Sequence, residues 1–232
     1  MRVAVGCPIS DRSWVLDHWF DHIYTNFYEV GLDPEFIFVV PEWDQASIDL
    51  IKNRSDARIK FSGEAERKDE RLWSNDRIQH LADIRNLLLD EVKDSNPDFF
   101  MSVDSDILLA KNALGNMLDI FEKYPDCWAA GSKCFLSSAG YAHPNMGWFI
   151  NNGKYRREDV GTVVRVDILM AVKLMSRPAY NIPYVFHRNG EDLGWSENVK
   201  LAGGTFYWDG STASKHVMKR EMLDVFDRRI GF

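Results

Sequence analysis

Four short apolar runs, set between stretches of helical periodicity, constrain this chain more than any other feature. They are Arg2–Gly6, Glu35–Val40, Ala57–Phe61 and Phe99–Val103. Periodicity alone does not separate such a run from a helix segment, but brevity and a Val, Ile and Phe content read as buried strands. Between them, Ser13–Asn26 repeats Trp14, Val15, His18, Trp19, His22 and Ile23 at helical spacing. Asp44 is placed to cap a short helix over Ala46–Asn53, and Asn75–Lys93 carries Ile78, Leu81, Ala82, Ile84, Leu88 and Leu89 on one face. Strand and helix in alternation predict a parallel sheet covered by helices.

The fourth run ends abruptly in Asp104-Ser105-Asp106. Carboxylates at the carboxyl end of a strand lie where open α/β sheets bind ligands. Their spacing lets both point to one face, and hard divalent cations take such oxygen donors together with substrate phosphates. The competing reading is a turn with capping aspartates. Arg77, Arg85 and Asn86 lie on the preceding helix and lead toward this loop. An arginine there is either solvated or aimed at a phosphate. His18 and His22 fall in the apolar stripe, so packing accounts for them better than ligation.

Composition narrows the function classes. The 232 residues are 45% hydrophobic and 27% charged, ordinary globular material for one large domain or two small ones. Lys plus Arg number 28 against 35 Asp plus Glu, a net charge of −7. That sign argues against coating nucleic acid, which needs clustered positive charge. Three cysteines, Cys7, Cys127 and Cys134, include no CxxC pair, so reduced, buried thiols of a cytoplasmic protein are expected. The chain opens directly on Val3-Ala4-Val5, without the charged start and apolar core of a signal peptide. Val163–Met175, the most apolar stretch, is broken by Arg165, Asp167 and Lys173 and is not a membrane span.

The second half is less regular. Asn112 is placed to cap a helix over Ala113–Lys123, and Cys127–Lys133 reads as a strand. Phe135–Gly161 has no clear period, yet carries Phe135, Tyr141, Trp148, Phe149 and Tyr155. It is expected to be a binding loop or lid, with an irregular packed excursion as the alternative. Val163–Met175 returns to strand character. Glu191-Asp192 opens a helix over Leu193–Ala202 that Gly203-Gly204 ends. Thr205–Trp208 is expected as a short strand, Asp209–Thr212 as a turn, and Met218–Arg229 as a terminal helix. No internal repeat or linker appears, so one domain over 1–232 is expected.

Read in order, several stretches resemble the GT-A glycosyltransferases, which use nucleotide sugars. These are VAVGCPISDRSWVLDHWFDHI, RIQHLADIRNLLLDEV, VDSDILL, GEDLGW and SKHV. The resemblance spans nearly the whole chain. The helix with its DSD also looks like Anp1-type mannosyltransferases, while the size is closer to small bacterial or phage-encoded transferases. The resemblance implies a single Rossmann-like GT-A domain with a mostly parallel central sheet flanked by helices. A nucleotide-binding part would cover about 1–110 and an acceptor-binding part about 111–232. It further implies transfer of a sugar from a nucleoside diphosphate sugar to a hydroxyl of a glycan or protein, aided by Mn²⁺ or Mg²⁺.

By match to the family's motifs, Asp106 and His216 would hold the metal, and Asp104 would reach it or the ribose. Pro8, Ser10, Asp11 and Arg12 would hold the base and ribose, with Ser105, Arg77 and Arg85 also on the donor side. Asp192 would be the general base, with Glu191 next; in a retaining enzyme Asp192 would only position the acceptor. The plainer readings are helix N-terminal acids for Glu191-Asp192 and a surface histidine for His216. No confident counterpart of the family's glycine-rich acceptor loop is found, although Gly147, Gly153 and Gly161 are options. A sugar-phosphate nucleotidyltransferase is the competing enzyme, but Gly6-Cys7-Pro8 is no glycine-rich phosphate loop. A non-catalytic sugar-nucleotide-binding module is the third reading.

Overall fold

The computed structural model describes residues 1–63, 74–138, 141–150 and 154–223, without the side chains of 135–143. The sequence also leads one to expect a charged, exposed loop over Ser62–Arg71, of which only Ser62 and Gly63 are described; the terminal helix beyond residue 223, Gly153, and the side chains of Phe135 and Tyr141 lie outside the described residues.

The first half follows the alternation in the sequence. Strand β1 (Val3–Pro8) leads to helix α1 (Ser13–Glu29), β2 (Glu35–Val40), α2 (Gln45–Arg54) and β3 (Arg58–Phe61). Then come α3 (Asn75–Ser95), β4 (Phe99–Val103), the two-residue β5 (Ile107–Leu108) and α4 (Ala113–Lys123). Local chemistry sets several boundaries. Asp44 caps α2 by accepting from the Ser47 N–H, and Ser74 caps α3 by accepting from the Arg77 N–H. Asn96 ends α3 in the left-handed region at φ 54°, a conformation that asparagine tolerates. Asn112 does stand before α4, but also at positive φ and without a side-chain cap bond.

The second half departs from expectation. Phe135–Gly161 is not one loop. Strand β6 (Cys127–Ser138) runs into it, and β7 (Tyr141–Pro144), β8 (Met146–Ile150) and β9 (Lys154–Arg156) lie within it. Its polar and aromatic residues alternate too loosely to declare strands whose partners lie across hairpins. The stretch read as one strand is three: β10 (Val163–Val166), β11 (Ile168–Leu169) and β12 (Val172–Ser176), followed by α5 (Arg177–Tyr180). Helix α6 (Glu191–Leu201) takes both acids into its first turn. The turn expected at Asp209–Thr212 is instead an irregularity inside one long strand, β13 (Thr205–His216), which shifts register between Asp209 and Ala213. A bulge keeps the strand direction while re-aiming its side chains.

The main sheet has the order β10-β13-β6-β12-β4-β1-β2-β3, so strands from both halves of the chain share it. β1, β2, β3 and β4 are mutually parallel and β13 is parallel to β6, while β12 runs antiparallel to both β4 and β6 and β10 antiparallel to β13. Most strands therefore point one way, as expected. β11, β8 and β9 form a separate antiparallel sheet.

Strand alternation divides the core into two layers. Val3, Val5 and Cys7 of β1 face Trp19, Phe20 and Ile23 of α1, with Ile51 of α2 and Met117 of α4 in the same cluster. Ala4 points the other way, toward Ala82, Leu89 and Val92 of α3, with Trp195 of α6 in that layer. Trp19, Phe20, Phe36 and Phe38 meet edge to face in the first layer, and Trp195 stacks on Phe206 at 5.3 Å in the second. Burying each such ring contributes about 1.5–3 kcal/mol. At Gly6 a side chain is impossible, because a Cβ would stand 1.7 Å from the Ile37 carbonyl oxygen across the β1–β2 pair. No described helix is long and apolar enough to cross a membrane. The three cysteines are buried and free.

Candidate active site

After β1 the chain continues to β2 on one side, and β4 later joins on the other. The carboxyl ends of β1 and β4 therefore flank a topological switch point, where α/β sheets open a crevice. A cavity of about 670 Å³ lies there. Pro8, Ser10 and Arg12 from the β1 loop line it, as do Asp104, Ser105 and Asp106 from the β4 loop, Arg77 and Arg85 from α3, Glu191 and Asp192 from α6, and His216 from β13. Residues singled out along the sequence thus converge on one space. Asp11 is the exception. It is exposed, absent from the lining and turned into the left-handed region at φ 55°, where its N–H donates to Asp44 Oδ2 at 2.7 Å.

Arg85 ties two of the acidic segments together. It occupies the buried stripe Ile78, Ala82, Arg85, Leu89, Val92 of α3, so the helix period carries it inward. Its Nη2 donates to Asp104 Oδ1 at 2.9 Å and its Nε to Glu191 Oε1 at 2.9 Å. Burial pushes the Asp104 and Glu191 carboxyls up; Arg85 opposes this, and the Asp192 charge adds to it, leaving both above the ordinary range.

Asp192 has its own partner, which the sequence reading missed. Lys173 of β12, with no exposed side-chain surface, donates a short hydrogen bond to Asp192 Oδ1 and lies over the rings of Tyr184 and Trp195 at 5.3 and 5.1 Å. Burial favours the neutral acid at Asp192, but Lys173, Arg85 and the Ala171 N–H outweigh it and hold the carboxyl below its ordinary range. The one available signal was a lysine interrupting an apolar run.

Asp106 and His216 meet through backbone pairing. Ile107 of β5 pairs with His216 of β13, and the Val217 N–H donates to the Asp106 carbonyl at 2.7 Å. This brings His216 Nε2 to 3.5 Å from Asp106 Oδ1, while Arg12 Nη2 donates to Asp106 Oδ2 at 3.2 Å. Burial would raise the Asp106 carboxyl, yet His216 and Arg12 hold it low; burial would lower His216, yet Asp106 raises it.

Among the described residues no group of three or more His, Cys, Asp or Glu side chains could hold a metal ion by itself. Asp106 Oδ1 and His216 Nε2 do fit a partial shell. Their 3.5 Å separation is close to the about 3 Å between adjacent donors around a small divalent cation. Such an ion would complete its shell from phosphate oxygens and water. One oxygen of Asp104 is already committed to Arg85.

Two further groups frame the cavity. Ala171 is held in the left-handed region at φ 60°, and its carbonyl accepts from the Asp104 N–H at 3.1 Å. A non-glycine residue there stores about 1–3 kcal/mol of strain, which the surrounding structure must outweigh. Arg157, which follows β9, also lines the cavity; sequence reading passed over it inside the stretch taken for a loop. Gly147 is buried in β8, where a Cβ would meet the Arg156 carbonyl oxygen at 2.7 Å, so packing explains that glycine.

No family model and no curated protein matches this chain. Solved structures do. S. aureus TarS 1-349 superposes with a TM-score of 0.54 at 12% identity, covering 94% of this chain and 59% of that one. The same TarS fragment in complex with UDP-GlcNAc gives 0.55 at 13% identity, covering 94% and 57%. The chain therefore spans under three fifths of the TarS chains it matches. The likeness shows the fold, a mixed Rossmann-like α/β domain of the kind found in glycosyltransferases. It lends no support to the Anp1-type likeness.

Proposed function

We propose that this chain is a glycosyltransferase that moves a sugar from a nucleoside diphosphate sugar to a hydroxyl of a glycan or protein. The observation that carries the reading is the meeting of the β1 loop, the Asp104-Ser105-Asp106 loop, the start of α6 and His216 around one switch-point cavity. The fold shared with TarS, which has been solved with UDP-GlcNAc, supports a UDP-sugar as the first donor to try.

In this reading Pro8, Ser10 and Arg12 hold the nucleoside end, with Ser105 and Arg77 beside it. Arg12 places positive charge beside Asp106, where the leaving diphosphate gains negative charge. A divalent ion, Mn²⁺ or Mg²⁺, held by Asp106 and His216 would supply Lewis-acid neutralisation of that charge. Asp192, kept ionised by Lys173, receives the proton of the attacking hydroxyl. Glu191 is bound to Arg85 and orients it toward Asp104. Arg85 in turn fixes Asp104 beside the ribose or phosphate.

Calorimetric titration with UDP and UDP-GlcNAc, with and without Mn²⁺, tests the reading. Binding that strengthens with Mn²⁺ and is lost in Asp106→Ala supports it. Binding of a nucleoside triphosphate, with pyrophosphate released from it and a sugar phosphate, would point to a nucleotidyltransferase instead. Sugar-nucleotide binding that survives chelation, with no turnover, would point to a binding module.

A further inference from the structure

Arg12 and Arg85 each meet a carboxylate in the cavity wall. Arg157 does not. Among the described residues its guanidinium meets only neutral groups: Tyr155 Oη at 3.0 Å, the Tyr155 ring at 5.2 Å and Met170 Sδ at 3.6 Å. Its Nε is buried without a hydrogen-bond partner. Asp159 is engaged by Lys133 at 2.6 Å and Asp167 by Lys200 and the Phe149 N–H, and among the described residues no ion pair joins Arg157 to its neighbour Glu158. A guanidinium keeps its charge at every physiological pH, and a desolvated donor with nothing to donate to is costly. Its forked donors match a carboxylate or a phosphate.

We infer that Arg157 is a specificity-determining residue that receives an anionic group, carboxylate or phosphate, carried by the acceptor. The inference rests on the transferase reading, and the placement of Arg157 assigns the anion to the acceptor rather than the donor. Arg157 follows the small β11-β8-β9 sheet and leans on Met170. Met170 adjoins Ala171, whose N–H faces the Asp192 carboxylate. No described hydrogen bond or ion pair joins Arg157 to Arg12, Asp106 or His216, the groups on the diphosphate side. The anion therefore lies beside the base that takes the acceptor's proton. A chain of net charge −7 offers an anion no general attraction, so a fixed cation in the cavity has to do the selecting.

The test uses the full chain, with glucuronate as the carboxylate probe and glycerol 3-phosphate as the phosphate probe. Each is titrated calorimetrically with and without saturating UDP, against wild type, Arg157→Gln and Arg157→Lys. The expected result is that one probe binds wild type with UDP present. Arg157→Gln then weakens that probe by about tenfold or more while changing UDP affinity by less than about twofold, and Arg157→Lys falls between. Melting temperatures check that the variants fold, and if the Gln variant is unstable the Lys variant carries the comparison. The inference is overturned if neither probe binds, if the variants bind the probe as wild type does, or if UDP expels the probe and loses affinity in parallel. Failure of UDP to bind wild type would instead remove the transferase reading, and the acceptor assignment with it.

Discussion

Lys173 and Asp192 form an ion pair inside the protein, the lysine without exposed side-chain surface and the aspartate at 13%. The lysine's pKa is raised and the aspartate's lowered, in each case against burial. The lowered Asp192 pKa adds stability above its ordinary value of 3.8, lost as pH falls through the folded value. The raised Lys173 pKa adds stability below 10.5, lost as pH rises through its folded value. Lys173→Met should remove both contributions and cost about 3–5 kcal/mol near neutral pH, since it strands a buried carboxylate. Urea unfolding over a pH series checks this; an unchanged midpoint near neutral pH would contradict it.

Arg85→Lys should not be conservative. A lysine ammonium is a compact charge and cannot reproduce the planar fork that reaches Asp104 and Glu191 together. Loss of one charge-assisted hydrogen bond costs about 1.5–3 kcal/mol, and Arg85→Met should cost more. Denaturant unfolding of both variants is the check. In Arg85→Met the Asp104 and Glu191 carboxyls should rise further, because burial and their like-charged neighbours are no longer opposed. Carboxyl NMR titration reads that shift directly.

Gly194 stands on α6 two residues after Asp192, and a Cβ there would be 2.3 Å from the Val185 carbonyl oxygen. Gly194→Ala usually favours a helix, but here it must displace backbone. The expected loss is about 1–3 kcal/mol from overpacking, in place of the gain of about 1 kcal/mol from helix propensity. Thermal unfolding settles the sign.

Asn145 is fully buried, and its side chain serves four backbone or ring groups. Oδ1 accepts from the Cys134 N–H and Trp208 Nε1, while Nδ2 donates to the Ser132 and Met170 carbonyls. The Met170 bond steadies the segment that includes Ala171. Asn145→Leu, close in size, leaves these groups unsatisfied at about 1–3 kcal/mol each, with incomplete additivity. A loss below about 1 kcal/mol in chemical denaturation would show that the network relaxes around the change.

What could be read in advance was local. Glu35–Val40 and Phe99–Val103 announce strands, and α1 and α3 announce their buried faces, because a 3.6-residue period is written in neighbouring residues. The bounds of β13 could not be read this way. Its bulge is set against β6, about 80 residues earlier, its pairing with β5 joins positions more than a hundred residues apart, and Asp209-Gly210-Ser211-Thr212 taken locally has the composition of a turn. Strands β7, β8 and β9 were hidden for a different reason: hairpin partners, not a local period of apolar residues, make them strands.

The candidate site divides along the same line. The sequence by itself placed Asp104 and Asp106 at the carboxyl end of a strand, where an α/β sheet opens its crevice, while Glu191, Asp192 and His216 were singled out by the resemblance of their motifs. Tertiary structure alone decided their company. It gave Asp104 and Glu191 a common arginine, set Lys173 under Asp192, brought His216 to Asp106, and placed Arg157 in the cavity wall with no acid partner among the described residues. Residue type fixes what a side chain can do; charge pairing and desolvation depend on distances that only the folded chain sets.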